Sequence, residues 1–425
     1  MIAALFIILF GALLAGVPVG VALALSSIIY FVVEGLPELI VLQRMIGGLD
    51  SFPILAVPFF ILAGSLMNAV RVTDRIFAFA CACVGWMRGG LGHVNVAASV
   101  IFSGMSGAAV ADAGGMGAIE IKAMRDAGYD DGFAIGITAA SSVIGPLIPP
   151  SLPMIFYGVV ASESIGRLFM AGVMPGLLTA FALSVMIFFM ARRRNFGRDQ
   201  SFAVSVLRRS FKEAFLSLLT PVIIIGGILS GMVTPTEAAI AAVFYTLLLG
   251  FVVYRNLSLK SLWQVVLETA ETTGAVMFVV AAATVFAWIL TAAHVTEQLA
   301  DLLLSISNNK IAILLIVNAL LLVVGCFLET IAAITILVPV LLPIVAGFGV
   351  SPEQFGVIVV FNLMIGLLTP PVGMVLFVLS RVARVPFEKA VAGTLPFFIP
   401  LLIALVLVTF VPAISTWLPN MLYGP

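Results

Sequence analysis

Between Ala134 and Val160 the chain carries no charged residue. A helix of that length spans the hydrocarbon core of a bilayer. Yet Gly145-Pro-Leu-Ile-Pro-Pro-Ser151 sits in its middle. Proline has no N–H to offer the carbonyl four residues back. Continued as a helix, the run would leave Ser142, Gly145, Pro146 and Pro149 without their donors. The crossing is therefore expected to break at mid-depth, with several carbonyls turned into one place. Such backbone is tolerated in a membrane only where protein or a wet cavity receives it. Gly366-Leu-Leu-Thr-Pro-Pro-Val372 repeats the pattern 221 residues after Gly145, inside a second charge-free run, Phe355 to Ser380. Here the freed carbonyls are expected at Gly366 and Leu367. Paired interruptions in two halves of a membrane chain point to a transporter binding site.

The rest of the chain agrees with a polytopic membrane protein. Of its 425 residues 62% are hydrophobic and 9% charged, far from soluble composition. Twenty basic against twenty acidic residues give no electrostatic footprint for nucleic acid. Cys81, Cys83 and Cys326 sit in apolar surroundings and read as small core residues. The start, Met1 to Ala15, lacks a basic region and a cleavage site and reads as a retained helix.

The expected fold is all-α, in two inverted repeats, each of about five crossings with one re-entrant hairpin and one broken helix. Residues 1–191 form the first repeat, with a hairpin of two half-length arms at about 93–124 and the broken helix at 133–160. Residues 192–213 form a basic linker carrying Arg192, Arg193, Arg194, Arg198, Arg208, Arg209 and Lys212. Residues 214–425 form the second repeat, with a hairpin at about 311–345 and the broken helix at 355–380. Two amphipathic lateral arms are expected, Glu34–Ser51 and Arg255–Glu271, the second followed by a separate crossing, Thr273–Ala293. With the linker cytoplasmic, five crossings precede it and the N-terminus is periplasmic. All Lys and Arg except Arg44, Arg167 and Lys310 then fall on the cytoplasmic side, as the positive-inside rule asks. An odd number of crossings per half inverts the second half.

The hairpin tips carry polar residues at membrane depth: Ser103, Ser106 and Asp112 in the first, Glu329, Thr330 and Thr335 in the second. Such residues are costly there unless they face a cavity or a partner. The N-terminus of each second arm favours an anion, and the C-terminal end of each first arm offers carbonyls to a cation. Each tip is expected to meet one proline break.

Several stretches carry a family resemblance: Ala56-Val-Pro-Phe-Phe-Ile-Leu-Ala-Gly64, the Ser103–Asp112 tip, Gly128-Tyr129, Ile148-Pro-Pro-Ser-Leu-Pro-Met154, Thr234-Pro-Thr-Glu-Ala238 and Thr369-Pro-Pro-Val-Gly373. Together they resemble the large membrane subunit of tripartite ATP-independent periplasmic (TRAP) transporters, the DctM family within the ion transporter superfamily. The resemblance covers essentially the whole chain. It implies sodium-driven uptake of an organic acid of the C4-dicarboxylate, keto acid, sugar acid or sialic acid type, delivered by a periplasmic binding protein in the bacterial inner membrane. It implies a scaffold gripping a mobile transport domain that moves as an elevator. It also implies a small four-helix membrane subunit, expected here as a separate chain. Carried over by position, one sodium site uses carbonyls around Ser103, Gly145, Ile148 and Pro149. The other uses Gly325, Gly366 and Thr369. Ser106, Asp112, Glu237, Glu329 and Thr330 are candidates for substrate contact, with Glu237 equally placed to cap the helix that starts at Pro235. No organic cofactor is implied.

Two other classes share parts of the pattern. Gly104-Met-Ser-Gly107 matches the pattern around the serine of rhomboid-type intramembrane proteases, but that serine needs a base in reach, and the histidines are His93 and His294. A single-chain sodium/dicarboxylate-type carrier, working without a binding protein, shares the superfamily pattern.

Overall fold

A lipid-embedded backbone must satisfy its own polar groups, and a helix does so within one segment. In the computed structural model every regular element among the described residues is helical. The structure describes all residues except Met1, Asn195, Arg198, Gln200, Ser201 and Pro425, and all their side chains except those of Ser106, Leu303 and Leu304. Arg198 of the basic linker thus lies outside the described residues. Seven of the described helices are long and apolar enough to cross a membrane.

The first half begins with α1 (Ile2–Leu14), α2 (Val19–Glu34) and α3 (Leu39–Leu49). It continues with α4 (Ala56–Ala69) and α5 (Val72–Val84). The hairpin arms are α6 (Gly90–Ser106) and α7 (Ala109–Asp126). The broken helix is α8 (Asp131–Ser142) and α9 (Leu152–Ala161), and α10 (Ile165–Arg193) closes the half. The second half runs α11 (Val204–Leu229), α12 (Pro235–Leu248), α13 (Leu259–Ala292) and α14 (Val295–Ile306). Its hairpin is α15 (Lys310–Gly325) and α16 (Thr330–Gly347), and its broken helix α17 (Pro352–Gly366) and α18 (Met374–Ala383). It ends with α19 (Phe387–Thr394), α20 (Phe398–Phe410) and α21 (Ala413–Tyr423).

Three expectations change. The second arm and the crossing after it are one continuous helix: α13 has 34 residues, about 51 Å long at 1.5 Å per residue. In the first half Asp50, Ser51 and Pro53 interrupt the chain between α3 and α4, whereas α13 contains no proline and nothing stops it. The hairpin arms are not half-length, since α6 and α7 have 17 and 18 residues and α15 and α16 have 16 and 18. The end of the linker is helical, with Arg208, Arg209 and Lys212 on the first turns of α11.

The two halves are related as inverted repeats, and a pair of ion pairs shows it. Lys389 Nζ lies 2.9 Å from Asp131 at the start of α8. Arg167 Nε lies 2.7 Å from Glu353 at the start of α17. Glu353 and Lys389 stand 222 residues after Asp131 and Arg167, so each pair is the image of the other. The ends of α10 give the sense of the relation. Arg167 in its first turn holds Glu353, and Arg194, the residue just past its end, lies 3.5 Å from Asp130, which caps α8. The 29 residues of α10 cover about 43 Å. The two broken helices therefore enter from opposite ends of α10 and run inward.

Packing sorts the helices into two groups. α13 lies along α2, α3 and α4, α4 packs on α12, and α12 packs on α11. The hairpins, the broken helices, α10 and α19–α21 form the other group, with α8 against α19 and α17 against α10. α13 meets α16 across the boundary, and α5 lies between α6 and α11.

Candidate functional site

The breaks form as the prolines require. α8 stops at Ser142 and α9 restarts at Leu152, with Ser151 capping it by accepting from Met154 N. α17 stops at Gly366 and α18 restarts at Met374. Pro149–Pro150 and Pro370–Pro371 are both cis.

Each hairpin tip abuts the break of its own half. Gly107, at φ +61°, lies so close to the Pro150 carbonyl that a Cβ would overlap it, and its own carbonyl accepts from Leu152 N at 3.3 Å. A Cβ on Gly366 would lie 2.5 Å from the carbonyl carbon of Gly325 and 2.6 Å from its Cα. Only glycine allows backbones to approach this closely.

The freed carbonyls behave differently in the two breaks. In the first, no donor among the described residues reaches the carbonyls of Ser142, Gly145, Ile148 or Pro149, whereas Ser151 Oγ donates to that of Pro146. In the second, Thr369 N donates to Gly366 O at 2.9 Å and Val375 N to Leu367 O at 3.3 Å. The expectation of open carbonyls thus fails at Pro146, Gly366 and Leu367. The reason is local. Proline removes the donor at i+4, but an N–H at i+3, a nearby hydroxyl or an amide beyond the break can replace it. At Gly145 the i+3 amide, Ile148 N, is drawn to Ile144 O instead, at 3.1 Å. Thr369 Oγ1 donates to Ile365 O at 2.9 Å. Ser103 is fully buried in the last turn of α6, where carbonyls run out of intrahelical donors. Its hydroxyl donates to Val100 O at 2.6 Å.

The tips converge on a cavity of about 440 Å3. Ala108 to Ala111 line it from the first tip, Glu329 and Thr330 from the second, and Pro146, Leu152 and Leu367 from the breaks. Glu329 is at once a lining residue and the cap of α16, its Oε2 accepting from Ile331 N at 3.0 Å and Ala332 N at 3.3 Å. The N-terminus of α16 therefore already holds an anion from its own chain. That of α7, which starts after Ala108, carries its own carboxylate, Asp112, in its first turn. Asp112 is buried behind this tip, its Oδ2 pressed against Gly145. Ser106 ends α6, and its side chain lies outside the described residues. Glu237 does not line the cavity. It sits in a capping box, accepting from Thr234 N at 2.7 Å and Thr234 Oγ1 at 2.9 Å.

Sequence reasoning missed the wall contributed by the other helix group. Ser65 and Asn68 of α4 and Thr272 of α13 also line the cavity. Asn68, a lone amide in an apolar crossing, was the available signal. The protease constellation does not form. His93 and Ser106 lie 13 residues apart on one helix, about 20 Å along its axis. His294 is exposed and pairs with Glu297.

Residues 6–414 match the family model of the tripartite ATP-independent periplasmic transporter, DctM component. The chain belongs to this family. It is 49% identical to the sialic acid TRAP transporter large permease protein SiaM of Vibrio cholerae, over 97% of both chains. It is 46% identical to the sialic acid TRAP transporter permease protein SiaT of Haemophilus influenzae, over 96% of this chain and 66% of that longer one. Among solved structures it resembles the Alcanivorax borkumensis YdaH transporter, described as having an unusual topology. The TM-score is 0.60 at 15% identity, covering 89% of each chain, a likeness of fold. The TRAP permease chain is thus a multi-pass membrane protein whose two tips and two breaks share one central cavity.

Proposed function

We propose that this TRAP permease couples sodium entry to the uptake of an organic acid of the sialic acid type, which a periplasmic binding protein delivers. The substrate class rests on the two sialic acid relatives. The observation that carries the coupling is the set of carbonyls at Gly145, Ile148 and Pro149, in the break that faces the first tip, that no donor among the described residues reaches. Sodium prefers hard oxygen ligands, and carbonyls buried without donors are stabilised by taking one. Ser103 at the end of α6 completes this site. The second site uses Gly325, Gly366 and Thr369, where an ion would share the Gly366 carbonyl with Thr369 N.

In this reading sodium fixes each break against its tip and so shapes the cavity. The substrate carboxylate binds at the first turn of α7, where the helix dipole favours it. Ser106, Thr330 and Asn68 contribute hydroxyl and amide contacts. Glu329 keeps the second tip closed as a cap, and Asp112 orders Gly145. Coupling is the higher affinity of the sodium-loaded state for substrate. The hairpins, broken helices and α10 move as one elevator body against α2–α4 and α11–α13, with α13 and α3 as braces. The linker is cytoplasmic and the N-terminus periplasmic, in the inner membrane. A small four-helix TRAP subunit completes the membrane complex.

The test is uptake into proteoliposomes containing this chain and its small subunit, with the cognate binding protein outside. Uptake is expected only with an inward sodium gradient and the binding protein. Equal uptake without the binding protein would identify a single-chain carrier. Gly145→Val and Gly366→Val should abolish uptake, and unchanged uptake in both would refute the site assignment.

A further inference from the structure

The two hairpins share a buried polar bridge, and one of them adds an acid to it. In the first half Asn95 Oδ1 on α6 accepts from Ser141 Oγ on α8 at 2.6 Å. In the second, Asn318 Oδ1 on α15 accepts from Asn362 Nδ2 on α17 at 2.8 Å. Asn318 and Asn362 stand 223 and 221 residues after Asn95 and Ser141, so the bridge belongs to the repeat. Glu120 of α7 does not. The positions 221 to 223 residues on are Leu341, Leu342 and Pro343.

Glu120 is 2% exposed. Its Oε2 accepts from Asn95 Nδ2 at 2.8 Å, and its Oε1 has no hydrogen-bond partner among the described residues. The other proton of that amide goes to Thr138 Oγ1 at 2.7 Å, so the amide is fully used. Among the described residues no Lys or Arg pairs with Glu120. The ionisable groups that act on it or feel it are Asp112, little more than two turns away on α7, and Cys81 on α5. α6 presents Asn95, α8 Thr138 and Ser141, and α18 the apolar Val378 and Leu379 beside the α7 glycines. None is positive.

An ion at membrane depth, held by one neutral donor and close to a second carboxylate, is far costlier than a neutral acid that lacks one partner. A metal ion in its place would meet an amide that points its N–H groups at Glu120 and Thr138. We infer that Glu120 is a proton-binding site of the first hairpin, with the proton on Oε1 and Oε2 left to accept from Asn95. The proton comes from water and returns to it, and no other bond changes. With the proton bound, α6, α7 and α8 pack around a neutral acid. Its loss leaves a bare charge held by one neutral donor, on the same helix as Asp112, and loosens the hairpin. This does not rest on the sodium reading.

The experiment uses the full complex in proteoliposomes, wild type and Glu120→Gln. The wild-type minus variant infrared spectrum should contain the C=O stretch of a protonated carboxylic acid, lost on alkaline titration and unmoved when sodium is replaced by an organic cation. Carboxylate bands alone, at every pH, would overturn the proposal. Wild-type uptake should fall on the alkaline side. Glu120→Gln should stay within about twofold of wild type near neutral pH and lack that fall. An alkaline fall unchanged in the variant, or a folded variant inactive at every pH, would also overturn it. If Glu120→Gln does not fold, the acid band must persist in both Asp112→Asn and Glu329→Gln, and its absence there refutes the assignment.

Discussion

The two tip-and-break pairs arise from one sequence rule and end differently. In the second pair backbone meets backbone: Gly366 lies on Gly325, its carbonyl is recovered by Thr369 N, and α16 is capped by Glu329. In the first pair a carboxylate is inserted: Asp112, from the first turn of α7, packs on Gly145, and among the described residues no donor reaches the carbonyls of Gly145, Ile148 and Pro149. The second pair recovers both carbonyls that its prolines free, Gly366 and Leu367, whereas among the described residues the first recovers only that of Pro146. Symmetry of sequence therefore fixes where the chain breaks, while single residues decide what each break can bind.

The largest effect should separate the two glycines. At Gly366→Ala the new methyl lies 2.5 to 2.8 Å from backbone atoms of Gly325, so a backbone must move. Overpacking of this kind costs about 1–3 kcal/mol or more. Gly145→Ala meets the far end of one side chain, Asp112. In a thermal-melt cycle, Asp112→Ala should relieve Gly145→Ala, with a coupling of roughly 0.5–3 kcal/mol. No side-chain truncation should relieve Gly366→Ala. Equal tolerance of the two glycine variants would erase the contrast.

The matched bridges give the next test. Asn95→Leu strips donors from Glu120 and Thr138, while Ser141 Oγ keeps the Thr138 carbonyl at 3.2 Å. Asn318→Leu takes an acceptor from Thr409 Oγ1 but leaves Asn362 Nδ2 bonded to Ile358 O at 2.7 Å. Leaving buried polar groups unpaired costs about 1–3 kcal/mol each. Asn95→Leu should therefore lower Tm clearly more than Asn318→Leu, and the reverse order would show that the first bridge is not the more heavily used one.

A smaller effect is expected at the tips. Glu329→Ala removes the cap of α16 and should cost about 1 kcal/mol. Ala108→Asp copies that cap onto α7. It should spare stability and raise the KM for uptake, because it places a carboxylate where the substrate's carboxylate is proposed to bind. An unchanged KM would move the anion site away from the first tip.

How much of this was legible beforehand depends on the range of the interaction. The breaks, the tips and their pairing follow from proline and glycine, whose constraints are local, and the repeat offset was readable at Gly145 and Gly366. The recovery of the Gly366 carbonyl was not, because it depends on which amide the local turn presents. Nor was the continuity of α13, since a run of mixed polarity from Leu259 to Glu271 reads as a surface arm unless its packing against α3 and α4 is known. The cavity wall from Asn68 and Thr272 needed tertiary structure, as did the reciprocal ion pairs.

Those ion pairs carry the smallest expected effect and the cleanest sign. Asp131, just outside the first broken crossing, has its carboxyl held below the ordinary value by hydrogen bonds from Arg125 and Lys389. Its image, Glu353, is also held low: burial pushes it up, but hydrogen bonds from its own backbone amide and Arg167 outweigh this. A carboxyl with a depressed folded-state pKa contributes stability above its unfolded value and loses it as pH falls through the folded one. Tm should therefore drop on acidification, and Asp131→Asn should flatten part of that drop by an amount within about 1 kcal/mol. Arg167 also donates to Gly424 O at 3.0 Å and Asn420 Oδ1 at 3.1 Å, so Arg167→Met releases α21 as well and should cost more than Lys389→Met, which leaves Asp131 with Arg125. If the two substitutions cost the same, symmetry alone sets these contacts. If Arg167→Met costs more, the image pair has been put to a second use, as Asp112 and Glu329 show for the two tips.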